Sequence, residues 1–181
     1  DPADGGDALR TAARRLGTYD WVAVTSPNGA GRLLAAIADT GGDARAFGAA
    51  RVAAIGPGTA AALAARGIVA DLVPERYVAE SLLDALTAAL AEGGRLLLAR
   101  AAVARDVLPD GLRAAGWEVD VVEAYRTVPA AIDGEQRAAA AAADVVTFTS
   151  SSTVERFVEA LGRDAVPPVV ACIGPITAAT A

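Results

Sequence analysis

Residues 19–29 read YDWVAVTSPNG and join an apolar strand to the start of a helix. The first part contains Trp, Val and Ala in a short apolar run, which is typical of a buried β-strand. Ser26 then stands at a helix N-cap position, and Pro27 suits the first turn of a helix. This stretch therefore predicts a strand that leads directly into a helix, as in a βαβ unit.

The same pattern occurs a second time in the chain. Residues 143–152 read ADVVTFTSSS, with an acidic residue, an apolar strand and then Thr-Ser. A second pair of related stretches follows, VAAIGPGTA at residues 52–60 and VACIGPITA at residues 170–178. The two motifs recur in the same order at offsets of 124 and 118 residues, which indicates a duplicated α/β unit.

Strand-like segments alternate with helix-like segments throughout the sequence. Strands are predicted at residues 21–25, 51–55, 95–99, 118–123, 144–149 and 169–173. Helices are predicted at residues 29–39, 58–66, 79–91, 105–115, 134–143 and 153–161, and a further helix begins near residue 177. Strands separated by helices predict an α/β protein with mainly parallel sheets.

The duplication divides the chain into two similar α/β domains. The first is expected at residues 1–127 as a continuous domain, and the second at residues 128–181. Residues 127–131 are predicted to link them, because Pro129 favours extended backbone before it. The chain lacks an initial Met and stops within a predicted helix, so we expect a fragment with an incomplete second domain. Equivalent loops of the two domains are expected to face each other across a ligand-binding cleft.

Missing residue types exclude several kinds of catalytic site. The chain has no His, no Lys and no Met, and its single cysteine is Cys172. Without His there is no Ser-His-Asp triad and no His-ligated metal. Without Lys there is no Schiff base and no phosphate-binding P-loop lysine. A single cysteine excludes an internal disulfide and CxxC metal sites. Any catalysis must therefore use Tyr, Ser, Thr, Arg, Asn, a carboxylate or the backbone.

The charge and hydropathy patterns limit the partners. The net charge of −6 and the scattered arginines argue against nucleic acid, which requires clustered positive charge. No uncharged apolar stretch approaches the roughly 18 residues of a membrane-spanning helix. No signal peptide is visible at the first residues either, so we expect a cytoplasmic location and no membrane partner.

Hydroxyl groups follow the predicted strands at the points where ligands bind in parallel sheets. Ser26 follows the first strand, and Ser150 and Ser151 follow its repeated copy. Hydroxyls and helix N–H groups at these positions suit anionic oxygens. The alternative is that these serines only cap the helices that follow them.

The glycine-rich stretch at residues 56–61 resembles a dinucleotide fingerprint, with Glu75 about 20 residues later. The repeated copy lacks the second glycine, however, and both copies keep only Gly-Pro-x-Thr-Ala. We therefore do not expect dinucleotide binding. Thr59 and its counterpart Thr177 either offer hydroxyls to a ligand or cap their helices.

Three further residues are candidates for the site. Tyr125 follows a predicted strand, and its phenol can donate a proton or orient a leaving hydroxyl. Arg100 follows another predicted strand and can pair with a carboxylate, whereas Ser81 lies at the start of a predicted helix. The alternatives are an interfacial tyrosine, a solvated surface arginine and an ordinary polar residue of a first helical turn.

Taken together, these motifs resemble the uroporphyrinogen-III synthase family in the family's own order along nearly the whole chain. The matching stretches are residues 19–29 (YDWVAVTSPNG), 52–60 (VAAIGPGTA), 79–83 (AESLL), 96–108 (LLLARAAVARDVL), 112–127 (LRAAGWEVDVVEAYRT), 144–154 (DVVTFTSSSTV) and 173–178 (IGPITA). The resemblance implies two α/β domains joined by a two-stranded connector, one continuous and one built from both ends of the chain.

The resemblance also implies an activity and roles for individual residues. The family cyclises hydroxymethylbilane, inverts the last pyrrole ring and releases water, without a metal or cofactor. Tyr125 matches the tyrosine proposed to help the hydroxyl leave, and Thr59 and Thr177 match paired threonines of the cleft. Ser26 and Ser150 would bind acetate and propionate carboxylates, in a cleft expected to be neutral to positive.

Two other functions remain open at this point. The first is a non-catalytic bilobed module that binds a small anion, and the second is a dinucleotide-dependent enzyme built on residues 56–61. For the synthase we expect a monomer that binds a small-molecule substrate, and no cofactor.

Overall fold

The computed structural model describes residues 1–89, 93–128 and 131–181 of the chain. Contacts group the chain into two compact units, Asp1–Thr127 and Val128–Ala181. Each unit contains parallel strands with helices in the connections between them. The predicted fold class, α/β with parallel sheets, is confirmed.

The first unit is built on a four-stranded parallel sheet with strand order β2-β1-β3-β4. The strands of the two units are β1 (Trp21–Val24), β2 (Arg51–Ala54), β3 (Arg95–Ala101), β4 (Glu118–Tyr125), β5 (Val145–Phe148) and β6 (Val169–Cys172). The helices are α1 (Asp7–Ala13), α2 (Pro27–Asp39), α3 (Pro57–Ala64), α4 (Ala79–Ala89), α5 (Val107–Ala114), α6 (Gly134–Ala141), α7 (Ser151–Leu161) and α8 (Pro175–Thr180).

The predicted strand ends agree with the structure to within one residue, except at the ends of β3 and β4. Arg100 and Tyr125 were each expected after a strand, but both lie within one. The reason is that β3 and β4 continue to pair beyond Arg100, through a register shift that local sequence does not reveal. Of the predicted helix at residues 79–91, the last two residues lie outside the described residues, as do Pro129 and Ala130 of the predicted linker.

Alternating side chains of the sheet build two separate hydrophobic cores. In β1, Val22 and Val24 enter the core that contains Leu33 of α2 and Leu63 of α3. Trp21 and Ala23 point to the other side. Their core includes leucines from α4 and α5: Leu82, Leu86, Leu108 and Leu112. Because the period of a strand is two residues, a single strand serves both cores and fixes its own register.

The cores account for the stability of the first unit. Leu33, Leu63, Leu82 and Leu112 are all fully buried. Burying a leucine side chain contributes roughly 1.5–3 kcal/mol relative to leaving it exposed. The sheet is therefore a rigid base on which the loops at the strand ends are placed.

The second unit pairs β5 with β6 in parallel. Phe148 of β5 is buried and meets Phe157 of α7 edge to face, with ring centroids 5.6 Å apart and ring planes at 78°. Edge-to-face contact is a favoured arrangement of two aromatic rings. This pair holds α7 against the two strands.

Candidate active site

The carboxyl edge of the four-stranded sheet carries the candidate site. The chain passes from β1 to β2 on one side of β1, whereas β3 pairs with β1 on its other side. In open parallel sheets, this reversal leaves a crevice at the carboxyl ends of the two central strands, where ligands bind. The strand order therefore indicates that the loops after β1 and β3 are the candidate ligand-binding loops.

A cavity of about 200 Å³ lies at this edge. Each of the four strands contributes a residue at or next to its carboxyl end, namely Thr25, Ile55, Arg100 and Tyr125. Its full lining is Thr25, Ile55, Ala79, Leu98, Arg100, Ala101, Ala104, Arg105, Leu108, Pro109 and Tyr125. These described residues include two arginines and no acidic side chain, so the cavity wall itself suits an anionic or neutral group.

A β-bulge places Tyr125 at the cavity. Arg100 pairs with Glu123, but Ala101 pairs with Tyr125, so Ala124 is an extra residue in β4. The bulge interrupts the alternation, and Tyr125 packs against the same core that buries Ala124 while also lining the cavity. Bulges often redirect a side chain next to an active site. Within the described residues, the Tyr125 hydroxyl has no hydrogen-bond partner in the protein.

Arg100 is held by the loop that follows its own strand. Its Nη1 donates to the Arg105 carbonyl at 3.0 Å, and its Nη2 donates to Asp106 Oδ1 at 2.7 Å. The side chain is only 14% exposed, and its Nε is buried with no hydrogen-bond partner in the described structure. The alternative of a solvated surface arginine therefore does not fit Arg100, because the loop folds over its guanidinium.

A second ion pair fixes the outer side of the same loop. Arg105 Nη1 donates to Glu80 Oε1 of α4 at 2.8 Å. The pKa of Glu80 lies below its usual value, first because of its own backbone amide and next because of the Arg105 guanidinium. Glu80 is therefore ionised at neutral pH and anchors the loop to α4.

The serine after β1 caps the following helix. Ser26 Oγ accepts a hydrogen bond from the Gly29 amide at 2.9 Å, in the position of an N-cap. This contact supports the capping alternative for Ser26. It leaves the hydroxyl proton free to be donated, because only the oxygen is needed to cap.

The duplicated motifs have the same backbone geometry in both units. Ser26 has φ −164° and ψ 155°, and Ser150 has φ −164° and ψ 157°. Gly56 and Gly174 likewise agree within 1° in both angles, at φ −172° and −171° and ψ 175° and 176°. The duplication inferred from the sequence thus extends to the local conformation.

The paired threonines occupy equivalent positions and are both buried. Thr59 is the third residue of α3, and Thr177 is the third residue of α8. Their exposed fractions are 2% and 5%, and they are the buried polar residues among those the structure describes. Gly56 and Gly174 occupy the N-cap positions of these helices, so the capping alternative does not apply to either threonine.

Two predicted residues of the second unit also find partners within it. The Ser150 hydroxyl accepts from the Thr153 amide at 3.3 Å and completes a capping box with Thr153. Ser151 Oγ accepts a hydrogen bond from the Thr180 hydroxyl at 2.7 Å, which connects α7 to α8. These serines therefore contribute to local structure in the second unit.

Ser81 lies away from the cavity that contains Tyr125. It lines a separate shallow hollow on α4, together with Pro74, Glu75 and Arg76. The first residue of the helix, Ala79, is the one that reaches the cavity. The structure therefore does not bring Ser81 together with Tyr125 and Arg100.

The glycines of residues 56–61 have a structural explanation. A Cβ at Gly56 would come within 3.1 Å of Tyr77 Cβ and Cγ, whereas a Cβ at Gly58 would meet only Pro27 Cγ at 3.8 Å. A side chain at Gly56 would therefore crowd Tyr77, which would have to shift by a few tenths of an ångström, whereas Gly58 has room for a side chain. The contact with Tyr77 therefore accounts for one of the two glycines, and the described structure places no such close neighbour at the other.

Sequence reasoning missed Thr25, Asp106 and Tyr77. Thr25 stands directly before Ser26 at the carboxyl end of β1, a position that itself marks a ligand-facing residue. Asp106 is an acidic residue six positions after Arg100, but only the folded loop shows that the two side chains meet. Tyr77 has no local signal, since its contact is with the distant Gly56 loop.

Metal-binding clusters and membrane-spanning helices are both absent from the part of the chain that the structure describes. Residues 1–89, 93–128 and 131–181 contain no cluster of three or more acidic or cysteine side chains placed to hold a metal ion. Among the helices described, none has the length and apolar character needed to cross a membrane.

Comparison with known proteins identifies the family. The family model described as uroporphyrinogen-III synthase HemD matches residues 1–181. A putative uroporphyrinogen-III synthase of Methanothermobacter thermautotrophicus is 40% identical, over 94% of this chain and 72% of that protein. The porphyrin biosynthesis protein HemD of Ruminiclostridium josui is 28% identical over 99% of this chain, which spans 36% of that longer protein.

A solved structure supports the same conclusion at the level of the fold. The crystal structure of uroporphyrinogen III synthase from the extremely thermophilic bacterium Thermus thermophilus superposes with a TM-score of 0.59 at 23% sequence identity. The match covers 99% of this chain and 72% of that chain. With a matching family model and a 40% identical relative, the chain belongs to the uroporphyrinogen-III synthase family.

Proposed function

We propose that the protein is a uroporphyrinogen-III synthase, a cyclising lyase that converts hydroxymethylbilane into uroporphyrinogen III. Membership of the family supports this activity. The observation that carries the proposal is the cavity in which Tyr125 and Arg100 meet, at the carboxyl edge of the sheet. A phenol and a guanidinium are the groups that a polycarboxylate substrate with a leaving hydroxyl requires.

In the proposed reaction, the terminal hydroxyl of the linear tetrapyrrole leaves as water. The Tyr125 phenol donates a hydrogen bond to the departing oxygen while the pyrrole nitrogen supplies the electrons that break the C–O bond. The proton of that pyrrole N–H is also lost, so hydroxyl and proton together leave as water and an electrophilic azafulvene remains. The substituted carbon of the last ring attacks the methylene carbon of the azafulvene, from which the hydroxyl has left, and gives a spiro intermediate. Fragmentation and reclosure then invert the last ring.

The chain's own groups are suited to this chemistry because it depends on substrate conformation. Correct placement of reacting groups can replace strong acid and base catalysis. The proposed substrate-binding residues, with the substrate's carboxylates as their partners, are Arg100, Ser26, Ser150, Ser151, Thr59 and Thr177. Ser81 is not among them, because it lines a separate hollow. Contacts with Arg100 are the strongest of this set, because guanidinium and carboxylate carry opposite charges.

We also infer that the first unit corresponds to the continuous domain of the family and the second unit to a portion of its split domain. This inference is supported by the repeated motifs and by coverage of 72% of the Methanothermobacter protein. We expect a monomer in the cytoplasm, which light scattering and cell fractionation would test.

The test of the proposal is the isomer of the product. Purified full-length protein is supplied with hydroxymethylbilane, and the products are oxidised and separated by chromatography. Spontaneous closure gives isomer I, so the synthase is expected to give isomer III. Isomer I alone, at the rate of the reaction without protein, would contradict the proposal and favour a binding module.

A second experiment tests the alternative that the protein is a dinucleotide-dependent enzyme. Titration with NADH, followed by its fluorescence, is expected to show no saturable binding, since the repeated copy of the motif lacks the second glycine. Saturable binding would instead support the dinucleotide-dependent enzyme.

A further inference from the structure

The acidic residue that holds Arg100 stands at a helix N-cap position but does not cap the helix. Asp106 directly precedes α5, and within the described residues its side chain makes no capping hydrogen bond. Instead, its Oδ1 accepts from Arg100 Nη2 at 2.7 Å. Aspartate is among the residues most favoured for capping, so its use elsewhere gives up local helix stability.

Other N-cap residues of the chain show the ordinary arrangement. Ser26, Asp133 and Ser150 each accept a hydrogen bond from an amide of the helix that they begin. Asp133 is the closest comparison, because it is also an aspartate at an N-cap. Of these four N-cap residues, Asp106, beside the cavity, is the one whose side chain does not cap the helix that it precedes.

The Arg100 pair also differs from the other ion pairs of the described structure. At 14%, Arg100 has the lowest side-chain exposure of any arginine in those pairs, whereas Arg113 and Arg156 are 50% and 57% exposed. Its buried Nε has no hydrogen-bond partner in the described residues. An arrangement that leaves a buried donor unpaired is not optimal for stability, and calls for a further explanation.

The two contacts leave part of the guanidinium available. Arginine carries more N–H donors than the bonds to Asp106 and to the Arg105 carbonyl use. The side chain lines the same cavity as Tyr125, one register position away on the neighbouring strand. A long flexible side chain that is already fixed loses less conformational entropy when it binds a ligand.

From these contacts we propose that Asp106 is a positioning residue, which holds the Arg100 guanidinium in the orientation that binds a carboxylate substituent of the substrate. This inference rests on the proposed function and deepens it. Asp106 acts through Arg100 and does not touch the substrate itself. Glu80 supports the arrangement from outside, because it anchors Arg105, whose carbonyl accepts the second Arg100 bond.

A positioning role of Asp106 and a purely electrostatic effect of its charge predict opposite changes in substrate binding when Asp106 is replaced. Asp106 is negative, so its removal from the neighbourhood of a polycarboxylate should by charge alone strengthen binding. If Asp106 positions Arg100, its removal should weaken binding because the guanidinium is released from its fixed orientation. The sign of the change in KM therefore separates the two effects.

The experiment is Asp106→Asn in the full-length protein, with KM and kcat measured for hydroxymethylbilane. We expect KM to rise about three- to tenfold, the cost of ordering one free arginine side chain, with kcat within about twofold. Asp106→Glu is expected to restore part of the loss. The Asp106 side chain is 62% exposed, so both variants are compatible with folding, which urea denaturation checks.

Asp110→Asn is the matched control. It makes the same charge change one turn later on α5, at a residue that pairs with Arg113 and does not line the cavity. Its KM is expected to stay within about twofold of the wild-type value, since exposed ion pairs contribute little. An equal rise of KM in both variants would overturn the proposal, because it would show that the effect does not depend on the contact between Asp106 and Arg100.

A double variant tests whether Asp106 acts through Arg100. In an Arg100→Gln background, the further change Asp106→Asn is expected to alter KM less than twofold, since coupled residues are not additive. A fall of KM in Asp106→Asn, or an undiminished effect in the Arg100→Gln background, would overturn the positioning role. Wild-type protein that forms no isomer III would instead reject the proposed function, before any variant is compared.

Discussion

The amino ends and the carboxyl ends of the strands form two opposite edges of the four-stranded sheet. Each edge carries a tyrosine and an arginine, but their polar groups are paired at the amino edge and partly unpaired at the carboxyl edge. At the amino edge, the Tyr19 hydroxyl donates to Asp120 Oδ2 at 2.6 Å, and Arg95 donates to the same oxygen at 3.2 Å. The Arg95 guanidinium also lies over the Tyr19 ring, 4.8 Å from its centroid. Tyr19 is 3% exposed, so its polar group is both buried and paired.

At the carboxyl edge, the tyrosine and the arginine retain hydrogen-bonding groups that no described residue uses. The Tyr125 hydroxyl has no partner among the described residues, and Arg100 keeps a buried Nε without a hydrogen bond. Both side chains line one cavity. Saturated polar groups rigidify a fold, whereas groups left unsatisfied at a cavity are available to a ligand. For these two tyrosine–arginine pairs, we therefore propose a stabilising role at the amino edge and a role in substrate binding at the carboxyl edge. Outside the two pairs, Trp117 Nε1, directly before β4, is also buried without a hydrogen-bond partner in the described residues.

The largest expected effect comes from removing the unpaired phenol. Tyr125→Phe should lower kcat about 100-fold, the lower range for loss of a group that assists proton transfer. The free energy of unfolding should change little, because the hydroxyl has no partner to lose. Steady-state kinetics and urea denaturation measure the two quantities. A fully active Tyr125→Phe variant would remove the phenol from the mechanism.

The amino edge predicts a loss of stability at alkaline pH. Burial, and then the hydrogen bond to Asp120, raise the pKa of Tyr19 from 10.0 to about 12. The folded state thus holds the phenol proton more tightly than the unfolded chain, and this contribution is fully present below pH 10. It should decline as the pH rises from 10 to 12, by at most about 2–3 kcal/mol.

Denaturation curves at several pH values test this decline. The Tyr19→Phe variant provides the control, since it lacks the titrating group and should lose the part of the pH dependence that Tyr19 supplies. The same decline in wild type and Tyr19→Phe would show that other groups cause it.

At neutral pH, Tyr19→Phe should reduce the free energy of unfolding by about 1–2 kcal/mol, because Asp120 loses a hydrogen-bond donor. Arg95 still pairs with Asp120, which limits the loss. Activity should remain within about twofold of wild type, since no atom of this cluster lines the cavity. A large loss of kcat at unchanged stability would break the proposed division between the edges.

A smaller effect is expected at Ser26, where capping and ligand binding can be separated. Asparagine and aspartate both cap helices about as well as serine, so Ser26→Asn and Ser26→Asp should fold with similar stability. If Ser26 faces a substrate carboxylate, Ser26→Asp should raise KM by a few-fold relative to Ser26→Asn, through like-charge repulsion. Equal KM values would restrict Ser26 to its role as a cap.

The strands could be predicted because their information is local. Strands β1, β2, β5 and β6 each combine an apolar run with a helix start that includes Ser or Gly-Pro. The two pairs of repeated motifs show this same pattern twice. The extension of β4 to Tyr125 could not be predicted in this way. It depends on a bulge at Ala124, which only the pairing with β3 creates.

Helix α1 was not predicted for a similar reason. It has seven residues and follows Gly6, whose φ of 88° is left-handed and whose lack of a side chain provides no cap. Short helices without capping residues depend on tertiary packing, and here Leu9 supplies it by entering the first core. The sequence shows the apolar residue but not the surface that receives it.

The candidate site was only partly predictable. Tyr125 and Arg100 were identified from their positions near strand ends, and the structure brings both to one cavity. Asp106 could not be identified, because an aspartate before a helix normally indicates a cap. Its contact with Arg100 arises from the path of the loop between β3 and α5, which residue type alone does not determine.

The most direct test of the account compares the two tyrosines in one product analysis. Wild type, Tyr19→Phe and Tyr125→Phe are each supplied with hydroxymethylbilane at the same protein concentration, and the ratio of isomer III to isomer I is measured. We predict isomer III from wild type and Tyr19→Phe, and a rising share of isomer I from Tyr125→Phe as uncatalysed closure competes. Isomer III from Tyr125→Phe at the wild-type rate, or its loss from a folded Tyr19→Phe, would contradict the account.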